Sequence, residues 1–173
     1  TDDYAAVPAE MKAVAEFFGK PVLRDISEKT IVENTAALRK KLGDRAVLRA
    51  LHFIRENGRV ERMLDALEKE DMTTFLAIIK ESGNSSATLL QNYFTTKAPA
   101  EQGITLACAI AAEILGEKGA WRVHGGGFAG TMQAFVPTEL MKDFRDTMET
   151  VFGTGSVTEL SVRPLGAAAV YHA

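Results

Sequence analysis

The chain has 173 residues, 46% hydrophobic and 25% charged, which is the balance of a globular domain and enough to bury about 70% of the unfolded surface in one core. A net charge of −3 supplies no basic footprint for nucleic acid or an anionic membrane. The single cysteine, Cys108, excludes an internal disulfide and fits a reducing, cytoplasmic setting.

In chain order, Asp2 and Asp3 open a helical pattern with apolar positions at Val7, Met11, Val14, Phe17 and Phe18, and Gly19-Lys20-Pro21 stops it. No basic region followed by an apolar core marks a targeting signal, and without an initiator methionine Thr1 reads as a cut point. Ser27, Thr30 and Glu33 predict a capped second helix to Leu42, closed by Gly43. Asp44 opens a longer helix reaching about Lys69, with Val47, Leu48, Leu51, Ile54, Val60, Met63, Leu64 and Leu67 on its core face. His52, Glu56 and Arg59 share another face, as a buried hydrogen-bonded row or a solvated ion-pair row.

Asp71 begins another helix through Ile79, closed near Gly83. The polar cluster Glu81-Ser82-Gly83-Asn84-Ser85-Ser86 then breaks the chain and caps a helix from Ala87 to Tyr93, unless its hydroxyls bind ligand. A further helix runs from about Pro99 to Leu115. Its apolar stretch around Cys108 meets Glu113 after about a dozen residues, too few to span a bilayer.

The most informative stretch follows, with four of the chain's fourteen glycines at positions 125, 126, 127 and 130 between a short apolar run and an alternating one. It reads as strand, tight glycine loop, strand. Without Cβ atoms such a loop turns bare N–H groups towards one point and suits a phosphate or sugar oxygen; the alternative is a bulged turn that needs glycine only for its backbone angles. After Pro137 the spacing of Leu140, Met141, Phe144, Met148, Val151 and Phe152 predicts a helix. Two closing strands are expected at Val157–Val162 and Ala167–His172.

The predicted fold is therefore α+β, a single domain over 1–173, with an antiparallel sheet of about four strands covered on one face by helices. His52, His124 and His172 lack metal-ligand spacing, so no metal site is assigned. Neither a G-x-S-x-G elbow nor a G-x-x-x-x-G-K-[ST] phosphate loop occurs.

Three blocks in order carry a resemblance to a known family. Arg49-Ala50-x-His52-x-x-x-Glu56-Asn57-x-Arg59 is similar to R-A-x-H-x-x-x-E-N-x-R. Glu81-Ser82-x-x-Ser85 is similar to E-S-H-x-S, with Gly83 in place of the histidine. Gly119-Ala120-x-x-Val123-His124-Gly125-Gly126-Gly127-Phe128-Ala129-Gly130 resembles G-A-R-M-T-G-G-G-F-G-G-C, with His124, Ala129 and Thr131 as departures. These blocks resemble the C-terminal half of galactokinases, within the GHMP superfamily of small-molecule kinases, from Thr1 to about Ala169.

The resemblance implies a ferredoxin-like C-terminal domain of that superfamily. It also implies transfer of the ATP γ-phosphoryl group to a sugar hydroxyl, C1 of galactose in the namesake enzymes, with Mg²⁺. It carries an active-site loop role onto Gly125, Gly126, Gly127, Phe128 and Gly130, and a sugar contact onto Tyr4. The family's N-terminal domain, with its adenine site, phosphate loop and catalytic aspartate, is absent from these residues. Sugar and ATP are then bound through that missing domain, no catalytic residue is assigned here, and the isolated chain is expected to be inactive. Two other readings remain: a sugar- and ATP-responsive regulator of the same fold, favoured by the changed loop residues, and a stand-alone α+β interaction module.

Overall fold

The helical half is built around α4, Asp44–Glu68, in a computed structural model that describes residues 2–128, 130–162 and 166. Helix α1, Asp2–Phe17, begins with acidic residues beside its positive dipole end. Helix α2, Glu28–Glu33, is capped by Ser27, whose hydroxyl oxygen accepts the Thr30 N–H at 3.1 Å. The single helix expected from Ser27 to Leu42 is divided: α3, Thr35–Leu42, starts afresh after Asn34. There the Asn34 side chain donates to Thr30 O at 2.9 Å and the Thr35 hydroxyl to Ile31 O at 3.0 Å, so short polar side chains compete with the helical ladder. Val14, Ile31, Leu38, Val47 and Ala50 form the core of this half. Full burial of a side chain the size of Ile31 or Leu38 contributes about 1.5–3 kcal/mol, which anchors these short helices on α4.

Helix α5, Met72–Ser85, is capped by Asp71, which accepts the Thr74 N–H at 3.0 Å. The polar cluster at 81–86 does not end it. The chain runs on into a π turn, Ser86–Leu90, in place of the separate helix expected from Ala87 to Tyr93, and closes when the Gln91 N–H donates to Ser86 O at 2.8 Å. The hydroxyls of Ser82 and Ser85 point at α4 instead of competing for their own backbone, which is why they do not break the helix. Gln91 then stops it in the left-handed region, φ 58°.

Helix α6 spans Gly103–Leu115, starting four residues later than expected because Pro99 and Ala100 lie in a turn closed by the Glu101 N–H donating to Ala98 O at 3.0 Å. Strands β1, Ala120–His124, and β2, Thr131–Phe135, pair antiparallel with Val123 opposite Met132 and His124 opposite Thr131. Helix α7, Met141–Phe152, follows, and Ala111, Leu115, Phe144 and Met148 pack with Trp121, Met132 and Ala134 of the hairpin. Cys108 is buried with Tyr93, Ile104 and Val123, joining the hairpin to the segment after the π turn.

The architecture is α+β and mostly helical, but the sheet has two strands among the described residues, not four. Val157–Val162, expected as a strand, carries no ladder: Arg145 of α7 holds it by donating to Val157 O at 3.3 Å and to Glu159 at 3.1 Å. Its expected neighbour at 167–172 lies outside the described residues. No helix among the described residues is long and apolar enough to cross a membrane.

Candidate functional site

The site is assembled in layers, starting on one face of α4. Arg49 donates from Nε to Leu90 O at 3.1 Å and from Nη1 to Glu10 of α1 at 2.9 Å. His52 Nδ1 meets Ser85 Oγ at 2.9 Å. The Ser82 hydroxyl donates to the Glu56 carboxylate, and Arg59 reaches Glu56 at 2.6 Å and Glu81 at 3.1 Å. Residues 49, 52, 56 and 59 thus meet 90, 85, 82 and 81 in turn, an antiparallel seam between α4 and the α5–π segment. Arg49, His52 and Arg59 are buried, so the row on α4 is the buried one of the two readings. Burial depresses the His52 pKa and leaves the imidazole neutral, while hydrogen bonds from Ser82 and Arg59 outweigh burial at Glu56 and keep it ionised.

Arg122 of β1 joins this seam, donating to Ser82 Oγ at 2.7 Å and lying 3.4 Å from Glu56. At this crossing Gly83 permits close approach, because a Cβ there would lie 3.0 Å from both Arg122 Cβ and Trp121 O and one of them would have to give way by a few tenths of an ångström. The Tyr93 hydroxyl donates to Gly83 O at 3.0 Å and accepts the Val123 N–H at 3.3 Å; burial pushes its pKa up to about 12, so it remains a donor.

The glycine loop rests on the far end of this scaffold. The Tyr4 hydroxyl donates to Gly127 O at 3.1 Å, and its ring meets Phe128 edge-on with centroids 5.4 Å apart. A Cβ on Gly126 would run into the Tyr4 ring, and one on Gly127 into the Asn92 backbone oxygen. Asn92 holds the loop from the other side: its Nδ2 donates to Gly126 O at 3.2 Å, and its carbonyl accepts the Phe128 N–H at 2.6 Å. Gly125, Gly127 and Phe128 all have positive φ, at 66°, 79° and 63°. Phe128 is the costly one, since a side-chain-bearing residue in this region is held there only by its surroundings.

Tyr4, Gly126, Gly127 and Phe128 are thus brought together, while Gly125 and Gly130 form the loop's two exposed ends. Gly125 and Gly126 are exposed in a hydrogen-bonded turn that leads into the buried Gly127, and outside the strands the N–H groups of Gly125 and Gly126 make no backbone hydrogen bond among the described residues. His124 and Thr131 face each other across the loop's base, with Nδ1 and Oγ1 3.4 Å apart. A cavity of about 180 Å³ adjoins Phe128, lined also by Asp3, Arg45, Arg49, Gln91 and Thr96. Asn92 is the loop partner that sequence reasoning missed, because its position depends on the left-handed turn at Gln91. Among the described residues no group of three or more His, Cys, Asp or Glu side chains lies together where it could hold a metal ion.

A short helical scaffold that offers uncommitted loop amides is the class of object seen here, and comparison with known proteins gives it relatives. The chain is 32% identical to the galactokinase of Glaesserella parasuis over 145 residues, 31% to that of Mannheimia succiniciproducens and 29% to that of Haemophilus influenzae. Each match covers 84% of this chain and 36% of the relative. The chain is therefore a homologue of galactokinases that spans little more than a third of their length. No family model matches it.

Proposed function

We propose that this chain is the C-terminal, GHMP-type domain of a galactokinase-like sugar kinase that moves the ATP γ-phosphoryl group to a sugar hydroxyl. The observation that carries the reading is the glycine loop: Tyr4 and Asn92 hold it from behind, and the Gly125 and Gly126 amides stay exposed. Donors fixed before the substrate arrives are what phosphoryl transfer requires, because its transition state spreads charge over oxygens and needs positioning more than covalent chemistry.

In this reading Gly125, Gly126, Gly127, Phe128 and Gly130 form the active-site loop beside the reacting phosphate and the sugar. Tyr4 borders the sugar with the outer side of its ring, its hydroxyl being committed to Gly127 O. ATP, and the Mg²⁺ that would screen its phosphates, are held mainly by the part of the kinase that this chain does not span. The 173 residues alone then lack the nucleotide site and turn over no sugar.

The test is a panel of hexoses and amino sugars with ATP and Mg²⁺, run on the full-length protein and on the 173-residue chain. Phosphorylation of one sugar by the full-length protein alone is the expected result. Turnover by the chain alone at a rate typical of kinases, roughly 1–100 s⁻¹, would overturn the division of labour. Absence of turnover on every sugar would overturn the kinase reading.

A further inference from the structure

We infer that Asn92 is the positioning residue that aims the glycine loop, an inference that rests on the kinase reading only for its catalytic consequence. The geometry concerns two successive peptide planes. No peptide bond among the described residues is cis, and in a trans peptide the C=O and the next N–H point in opposite directions. Asn92 Nδ2 draws the Gly126 C=O towards itself at 3.2 Å, which turns the Gly127 N–H to the opposite side of the loop. In the next peptide the Phe128 N–H donates to Asn92 O at 2.6 Å while Gly127 C=O accepts from the Tyr4 hydroxyl at 3.1 Å. One residue therefore fixes the sense of both planes, and Tyr4 locks the second from the far side.

A purely structural role does not account for this residue. Asn92 is 1% exposed, and its Oδ1 is buried with no hydrogen-bond partner among the described residues. A buried amide that leaves one polar atom unpaired is worse for stability than an apolar side chain of the same size. The backbone also takes an unfavourable path to place it: Gln91 sits at φ 58° immediately before, and Phe128, bonded to its carbonyl, at φ 63°. Strain on both sides and an orphaned acceptor between them are the marks of a residue retained for what it orients.

The position of Asn92 is itself set from α4. Arg49 grips Leu90 O at the end of the π turn, and Ser85 at its start is bonded to His52. The seam on α4 thereby reaches the loop through Leu90, Gln91 and Asn92 without touching it directly.

Asn92→Leu tests the inference because it keeps the volume and removes both side-chain polar atoms. In ¹⁵N–¹H spectra of the 173-residue chain, the Gly126, Gly127 and Phe128 amides are expected to shift by several linewidths. Signals of α1, α6 and α7 should stay in place, and the melting temperature should be unchanged or raised. Tyr4→Phe, which removes only the hydroxyl, should shift Phe128 and leave Gly126 unchanged. Loop signals in Asn92→Leu that superpose on the wild type would overturn the inference, whatever the protein catalyses.

In the full-length kinase the same variant is expected to lower kcat at least tenfold while KM for the sugar changes less than threefold. Turnover within twofold of the wild type, with the amides shifted, would overturn the positioning role. Should Asn92→Leu fail to fold, Asn92→Ser serves the same spectra, since it also removes the Nδ2 donor. A wild-type protein that phosphorylates no sugar would defeat the kinase reading and leave the spectroscopic result standing.

Discussion

The seam between α4 and α5 and the glycine loop treat polar groups in opposite ways. In the seam Arg49, His52, Glu56, Arg59, Ser82 and Arg122 are each bonded to partners on another element, while Ser86 Oγ at its edge has no partner among the described residues. At the loop Asn92 Oδ1 is unpaired among the described residues, and outside the strands the exposed Gly125 and Gly126 N–H groups make no backbone hydrogen bond to a described residue. A satisfied polar network in a low-dielectric interior fixes the register of its elements, while exposed uncommitted donors on a fixed backbone offer themselves to a ligand. The first region makes the second precise.

The comparison breaks most sharply at Gly127. Gly127→Ala places a methyl against the Asn92 carbonyl on a backbone at φ 79°, and a loss of about 2–4 kcal/mol is expected from strain and collision together. Urea unfolding of the chain measures it, and an unchanged midpoint would mean that the loop is not held as described. A smaller loss tests the seam. Glu56→Gln removes the carboxylate shared by Arg59 and Arg122, and since the Glu56 side chain is 27% exposed, about 2 kcal/mol is expected instead of the larger figure for a fully buried pair. The same substitution should leave the Gly125 and Gly126 amide signals in place if the seam and the loop differ in kind.

The smallest effect is a slope against pH. His52 faces Glu56, Arg59, Arg122 and Ser85, and its pKa in the folded chain is lowered chiefly by burial, so the folded state binds fewer protons than the unfolded one. Its contribution is complete above the ordinary value of 6.5 and is lost progressively as pH falls below that value. Glu56, lowered from 4.5, acts in the same direction in a more acidic window. Denaturation followed at pH 7.5 and pH 5.5 should show a shallower dependence for His52→Gln than for the wild type. An identical dependence would assign the loss to other groups.

Much of the helical scaffold was legible because apolar spacing reports which face is buried. Val47, Leu51 and Ile54 mark α4, and Phe144 with Met148 marks α7, as their packing bears out, but Val60, Leu64 and Leu67, expected on the same core face of α4, are exposed because no described element packs over the C-terminal half of that face. The hairpin was legible from alternation on either side of a glycine run. The π turn was not, since nothing in Ser86-Ala87-Thr88-Leu89-Leu90 separates one extra residue per turn from an ordinary helix. The break at Asn34 was hidden because its cause is a side-chain bond to Thr30 O inside an otherwise regular pattern.

Within the site, the glycines were visible and their holder was not. Asn92 gains its place from Gln91's left-handed backbone and from a loop 34 residues further along, a relation no local pattern encodes. A buried row was one of two readings for His52, Glu56 and Arg59, and only the opposing hydroxyls of Ser82 and Ser85 decide between them.

Gly83 carries a consequence for exchange between relatives. The galactokinase-like pattern has a histidine at this point, and here the gap between α5 and β1 has no room even for a methyl group without displacing Arg122 or the carbonyl of Trp121. An imidazole there calls for a wider spacing between helix and strand or for a shift of the strand at Arg122. Swapping the serine-rich helix between the two is therefore expected to disturb the α5–β1 crossing at Arg122 and Trp121, unless the strand that faces it travels with it.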